Sequence, residues 1–473
     1  MKKIILIIAL ILIVKFQLTA DDSHTKPKNI ILMIADGWGY NQILVTNYYI
    51  DGKSPARRYE QFPVSCAMAT YPAFSGYDAS LPDSLLPKGK RGYDTHLAWS
   101  DFNYVLTNFT ESAAAGTALA CGEKTYLNRI SVDTNGKPLL TITEFAKNLG
   151  KSAGVITTVY WSNATPAVFA AHNISRKNYA EIAREMLLES KLDVIMGAGH
   201  PNFDANGKPV DSSIYEFIGG RDVFYSLSSA GYSEHLVSVE KNKLKVQDID
   251  GDGIADPWAF IDTKEQFRDL ATSSHPPKRV CGTAQNIYTL QQGRTWNAML
   301  AAPYANKLLD NQPDLSCMTL GAINVLKRNP NGFFLMVEGG AVDWANHENQ
   351  LERLIEEMDD FNKAVDKVID WIEANGGWSE NLLIVTGDHE CGYLTGPKPL
   401  DNSPETNPVI NKQKGNLPEA KFNSKDHTNS LIPLFAKGAG SELFAKYADE
   451  WDTVRGWYIQ NSEVGRLMFK LWE

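Results

Sequence analysis

Five apolar runs, each leading into glycine, a carboxylate or a polar turn, constrain this chain more than anything else in it. Asn29–Ala35 closes on Asp36-Gly37, and 155–159 leads to Asn163-Ala164-Thr165-Pro166. Residues 192–196 lead to Gly197-Ala198-Gly199, 333–337 to Glu338-Gly339-Gly340, and 382–386 to Gly387-Asp388-His389. A continuous apolar run lacks the in-and-out alternation of a half-solvated strand and fits a strand buried on both faces of a parallel sheet. In open α/β sheets, ligands bind beyond the C-terminal ends of the strands. One strand ending in Asp is unremarkable, but several ending in Asp, Glu or Asp-His load a single rim with metal-type ligands.

Helical patterns at 141–149, 179–188 and 351–374 separate these runs, so the order is broadly βαβα. The expected fold class is α/β, a sandwich with a central, mostly parallel sheet flanked by helices. No repeat or linker divides the chain, and 21–473 reads as one catalytic domain. The stretch 201–331 is polar and rich in turns, and is expected to form an inserted cap or crown over the sheet edge. Residues 464–472 read as a closing amphipathic helix. Within the insertion, Asp248, Asp250, Asp252 and Asp256 with Gly253 resemble a calcium loop, in which alternate carboxylates converge on a hard cation. It is not a complete EF-hand, since Ala259 stands at its twelfth position. Calcium in a structural role and a metal-free acidic turn both fit.

The N-terminus, with Lys2-Lys3, an apolar run at 4–14 and a small residue at Ala20, reads as a signal peptide over 1–20. Eleven apolar residues are too few to span a bilayer, and nothing later is long enough, so no stable membrane span is expected. The protein is expected in a periplasm or outside the cell. Its net charge of -10 becomes -13 without the leader's three lysines, which argues against nucleic-acid binding. An anionic small substrate would then need local positive charge, most economically from metal ions. Five cysteines allow at most two disulfides and leave one thiol over.

The small-residue run 112–118, SAAAGTA, suits a tightly packed helix start with Ser112 at its mouth. Free N–H groups and the helix dipole favour an anion there, so Ser112 is a candidate nucleophile facing a phosphate. Asp343 and His347 are four apart and share one side of a helix. Asp388-His389 is a second carboxylate and imidazole pair, and His427 precedes another apolar run. A carboxylate with imidazole nitrogens is a zinc-like donor set.

Eight ordered motifs, from IADG at Asp36 through TESAAAGTA, GEKTYLNRISVD, NATPAVFAAHNISRK, VIMGAG, VEGGAVDWANH and TGDHECG to KDHT, make the chain resemble the alkaline phosphatase family. That resemblance implies a secreted phosphomonoesterase acting through a phosphoserine at Ser112, with Arg176 gripping phosphate. It implies two Zn2+ ions, one held by Asp343, His347 and His427 and the other by Asp36, Asp388 and His389. It also implies one Mg2+ held by Asp36, Thr165 and Glu338, and a homodimer by analogy.

Three positions depart from the family pattern. Glu111 replaces the usual Asp before the nucleophile, and its extra methylene is expected to loosen the contact to Arg176. Asn163 and Trp344 stand where some relatives carry Asp and Lys near phosphate and magnesium; Trp344 stacks on a leaving group or simply packs. A phosphodiesterase or sulfatase-like relative and a non-catalytic metal or phosphate binder are the alternatives. The sequence lacks a sulfatase's C/S-x-P-x-R signature at the nucleophile. Cys391 reads as a buried thiol near the metals, and His172 as structural.

Overall fold

The computed structural model describes residues 26–74, 92–228, 247–297, 299–300, 302–398 and 407–473. The expected signal peptide lies outside the described residues. Numbered along the chain, the strands are β1 (Asn29–Ala35), β2 (Val64–Ala69), β3 (Ser152–Tyr160), β4 (Val194–Ala198), β5 (Ala259–Ile261), β6 (Val280–Thr283), β7 (Phe333–Gly339) and β8 (Asn381–Gly387). They continue with the short pieces β9 (Glu390–Cys391), β10 (Leu394–Thr395), β11 (Lys421–Phe422) and β12 (His427–Thr428), then β13 (Ile432–Gly438), β14 (Glu450–Asp452) and β15 (Gly456–Gln460). Eleven of them form one sheet in the order β14-β15-β2-β13-β8-β1-β7-β3-β4-β6-β5. From β8 to β5 every neighbour is parallel. On the other side, β13 runs antiparallel to both β8 and β2.

The alternation of β1 explains why its sequence is apolar from Ile30 to Ala35. Ile30, Leu32 and Ile34 enter one core, with the helices Ser112–Cys121, Ile142–Asn148, Tyr179–Leu188 and Asn461–Lys470. Ile31, Met33 and Ala35 enter the other, with the helices Tyr40–Asp51, Leu315–Leu326 and Leu351–Ala374. Successive side chains on a strand point to opposite faces, so a strand covered on both sides is apolar along most of its length and polar only near its ends. All seven residues of β1, β7 and β8 are accordingly buried.

Strand β4 begins two residues later than its apolar run. Asp193 precedes it, receiving the Ala153 N–H at 2.8 Å and the Lys147 ammonium at 2.9 Å. The stretch 201–331, expected as a cap, also supplies β5 and β6 to the main sheet and the Leu315–Leu326 helix to its face. The strands VCGT and AFI are too short to show a period. Asn461–Lys470 closes the chain, and Gly465 lets it lie close against the Ser112 helix, because a Cβ there would meet the Ala118 carbonyl at 2.4 Å. All five cysteines are free. Among the described residues no helix is long and apolar enough to cross a membrane.

Candidate active site

Four adjacent parallel strands, β8, β1, β7 and β3, end side by side and carry the expected ligands to one rim. The register sets Ala35 opposite both Gly339 and Gly387. Asp36 and Asp388-His389 therefore leave their strands at one level, with Glu338 the penultimate residue of β7 beside them. Neighbouring strands lie about 4.8 Å apart, so short carboxylates reaching from them can share a cation. Gly37 completes the approach. It has φ +72°, and a Cβ on it would meet Asp343 Cα at 2.8 Å.

The Ala341–His347 helix follows β7 at once and turns Asp343 and His347 inward, with His347 Nε2 3.2 Å from Asp343 Oδ2. His427 arrives from β12, paired antiparallel with β9, which follows His389. Its Nε2 lies 3.0 Å from His347 Nε2 and 3.5 Å from Asp343 Oδ1. The other nitrogen of each ring is engaged by backbone: His427 Nδ1 with Thr110 O at 2.9 Å and His347 Nδ1 with Lys425 O at 2.5 Å. That arrangement fixes the tautomer and leaves Nε2 of both rings free for a metal.

The second group lies alongside. His389 Nε2 is 3.4 Å from Asp36 Oδ1 and 3.3 Å from Asp388 Oδ2. Ser112, 2 % exposed at the start of its helix, places Oγ 3.3 Å from both Asp36 Oδ2 and His389 Nε2. The nucleophile candidate and the ligand candidates thus occupy one spot.

The donor set fits divalent cations. Asp36 Oδ1, Asp343 Oδ1, Asp388 Oδ2 and His389 Nδ1 are buried without a hydrogen-bond partner. Burial and the crowding of Asp388, Asp343 and Glu338 push the Asp36 carboxyl well above its usual range. Burial likewise pushes Glu338 up to about 7 and Asp388 up to about 6. Burial opposes the charge on Asp343 too, but His347 and His427 hold its pKa well below the usual value. Buried carboxylates packed this tightly ask for positive charge among them.

Arg176 stands at the entrance. Its Nη1 is 2.5 Å from Glu111 Oε2 and its Nη2 donates to Asn163 Oδ1 at 3.0 Å. The longer side chain of Glu111 therefore does not loosen the contact to Arg176, contrary to the expectation from sequence. Glu111 is the N-cap of the Ser112 helix and accepts N–H bonds from Ala113, Ala114 and Asn128 at 2.8–2.9 Å, so the extra methylene lets one carboxylate reach cap, loop and guanidinium together. Asn163 caps the short Ala164–Val168 helix that carries Thr165, and Thr157 donates to Glu338 from the neighbouring strand. Trp344 packs edge-on against Tyr160, with ring centroids 6.1 Å apart, and lines the cleft in front of Ser112.

A model of the family described as alkaline phosphatase matches residues 27–429. The chain belongs to the alkaline phosphatase family. It is similar to Alkaline phosphatase 4 of Bacillus subtilis, 29 % identical over 395 residues, which cover 82 % of this chain and 66 % of the relative. Alkaline phosphatase 3 of the same organism is 29 % identical, covering 77 % of this chain and 61 % of that protein, so the chain spans less than two thirds of both. The alkaline phosphatase of Escherichia coli is 27 % identical, with 91 % of this chain and 86 % of that one covered. Among solved structures, alkaline phosphatase from the Antarctic bacterium TAB5 shares the fold, with a TM-score of 0.61 at 24 % identity over 94 % of this chain and 98 % of that chain.

Cys391 is fully buried, and its sulfur lies within 4.8 Å of ligand atoms of Asp343, His347 and His427. Burial, with Asp343 and Glu390 nearby, pushes its thiol far above the usual range. His172 joins Glu185 at 2.9 Å and the Leu139 carbonyl at 2.8 Å, a structural role. In the acidic loop, Asp248, Asp250 and Asp256 gather, but the Lys278 ammonium lies 2.6 Å from Asp250, 3.1 Å from Asp252 and 2.7 Å from Asp256, where a cation would sit.

Proposed function

We propose that this protein is an exported, metal-dependent phosphomonoesterase, working in a periplasm or outside the cell, that forms a phosphoserine at Ser112. The observation that carries the reading is the Ser112 hydroxyl held against Asp36 and His389 at a helix start, beside a donor set with unpartnered buried atoms. Asp343, His347 and His427 would hold one Zn2+, and Asp36, Asp388 and His389 the other. Asp36, Thr165 and Glu338 would hold Mg2+, in line with the TAB5 enzyme, a mutant of which has Mg bound in its M3 site. Bound there, the ions supply positive charge that favours an ionised serine, a negatively charged phosphoryl group and a departing alkoxide.

The chain's own groups do the rest. Ser112 Oγ loses its proton and bonds to phosphorus, while the ester P–O bond breaks and the leaving oxygen is protonated to the alcohol. Water then displaces Ser112 Oγ from phosphorus, and inorganic phosphate leaves. Arg176 has five N–H donors in a planar fork; Glu111 and Asn163 hold that fork in place with two of them, and the remainder can receive phosphate oxygens. Phosphate monoesters are thus the substrate class, and a homodimer is the expected assembly.

The test compares p-nitrophenyl phosphate with bis(p-nitrophenyl) phosphate, using the unsubstituted chain, Ser112→Ala and a chelated sample. Release from the monoester, lost on chelation and restored by zinc, supports the reading. Preferential release from the diester would make the protein a phosphodiesterase, and release from neither by a fully metallated sample would leave a binding protein.

A further inference from the structure

Ser112 and Arg176 line a cleft of about 430 Å³ whose walls also include Trp344, Gln292 and Arg353. One wall holds a cation with too few partners. Arg353, on the first turn of the Leu351–Ala374 helix, is 3 % exposed. One face of its guanidinium covers the Trp296 ring at 4.7 Å, and Nη2 donates to the Arg294 carbonyl at 2.5 Å. Its Nε is buried with no hydrogen-bond partner. Buried donors are nearly always satisfied, so one left open on a charged group in a cleft wall marks a place for an acceptor.

The carboxylates one turn along favour its charge, but neither forms an ion pair with it. Glu356 is spent on Arg294 at 2.6 Å and on the Tyr304 N–H at 2.5 Å. Burial and neighbouring Asp360 push Glu357 up to about 8, so it is mostly protonated at neutral pH. Burial and Arg294 push Arg353 itself down to about 10, as expected of a guanidinium short of counter-charge. Gln292, 5 % exposed, lines the same cleft and can add amide N–H donors. Glu348, the carboxylate at the cleft rim, is exposed to water.

We infer that Arg353 and Gln292 form a second anion subsite, so that this cleft favours phosphate monoesters whose alcohol portion carries a further phosphate or carboxylate. The inference rests on the reading of Ser112 as phosphoryl acceptor. It goes beyond that reading by naming which esters fit. The reacting phosphate lies at Ser112 and Arg176, the body of the alcohol runs along Trp344, and the second anion meets the Arg353 fork. A fork of donors matches a phosphate or carboxylate in two-point contact, which an ammonium cannot reproduce.

The experiment uses the metal-loaded full chain at pH 7 with fructose 1,6-bisphosphate and fructose 6-phosphate, reading phosphate release for each. The expected kcat/KM favours the bisphosphate by roughly tenfold or more, the worth of a charge-assisted contact. In Arg353→Gln that ratio falls toward the statistical twofold of having two phosphates, and Arg353→Lys recovers part of it. Equal kcat/KM values in the unsubstituted chain, or an equal drop for both esters in Arg353→Gln, would overturn the subsite. Should the Arg353 variants not fold, titration calorimetry on metal-loaded Ser112→Ala decides the matter: a Kd about tenfold tighter for the bisphosphate supports the subsite, and equal Kd values refute it. Release from neither ester would sink the phosphomonoesterase reading instead, and the calorimetric comparison would still decide the subsite.

Discussion

The Glu111 carboxylate serves the start of one helix and the aim of one arginine. Burial alone would raise its pKa, but Arg176 and the N–H groups of Ala113, Asn128 and Ala114 outweigh burial and hold it below the ordinary 4.5. A depressed carboxylate pKa adds stability that is complete above the unfolded value and drains away as pH falls through the folded one. Glu111→Gln should therefore lower stability by about 1–2 kcal/mol at pH 7, the scale of a lost N-cap. The gap in Tm between the two proteins should shrink below about pH 4.5, since both lose metal in acid but only one loses this charge. A gap that widens in acid would contradict the assignment. The same substitution should raise KM for p-nitrophenyl phosphate, because Arg176 loses a fixed partner. Ser112→Ala should cost on the order of 10³-fold or more in kcat while leaving the metal content intact, as measured by elemental analysis alongside steady-state rates.

At the scale of elements, the rim depends on where strands stop. Asp36, Glu338, Asp388 and His389 were legible because apolar runs end beside them, and Asp343 with His347 because a helix repeats on one side every four residues. The backbone carbonyls of Thr110 and Lys425 that orient His427 and His347 were not, since a carbonyl leaves no mark in sequence. Gln292 and Arg353 were missed for a similar reason: they reach the cleft from segments with no motif of their own. β5 and β6 escaped notice because three or four residues of mixed character cannot show a period. The Asp248–Asp256 loop was legible as an acidic turn, but Lys278 comes from a separate segment and fills the place of a cation. Calcium must displace that ammonium. Millimolar calcium should accordingly shift Tm little in the unsubstituted chain and raise it by several degrees in Lys278→Ala, as scanning calorimetry would show; a large shift in the unsubstituted chain would mean that calcium wins the loop outright.

Over the whole molecule, a twin-faced sheet holds the rim rigid. Leu32 lies in the central strand, fully buried, and Leu32→Ala should cost about 2–5 kcal/mol, read as a lower denaturant midpoint with an unchanged slope. Removing the ions by chelation should lower Tm as well as activity, because the buried carboxylates then repel one another without compensation. In a chain of net charge -10, this rim, where cations are expected to gather, offers anions a local well together with Arg176 and Arg353. The claim beneath all of this is that Ser112 accepts a phosphoryl group. Acid-quenching the metal-loaded protein in the presence of a phosphate monoester and locating the modification by peptide mass spectrometry tests it most directly. One phosphoryl group on the peptide containing Ser112, lost on chelation and absent in Ser112→Ala, is the predicted result; turnover with phosphate found on a different residue, or persisting in Ser112→Ala, would contradict it.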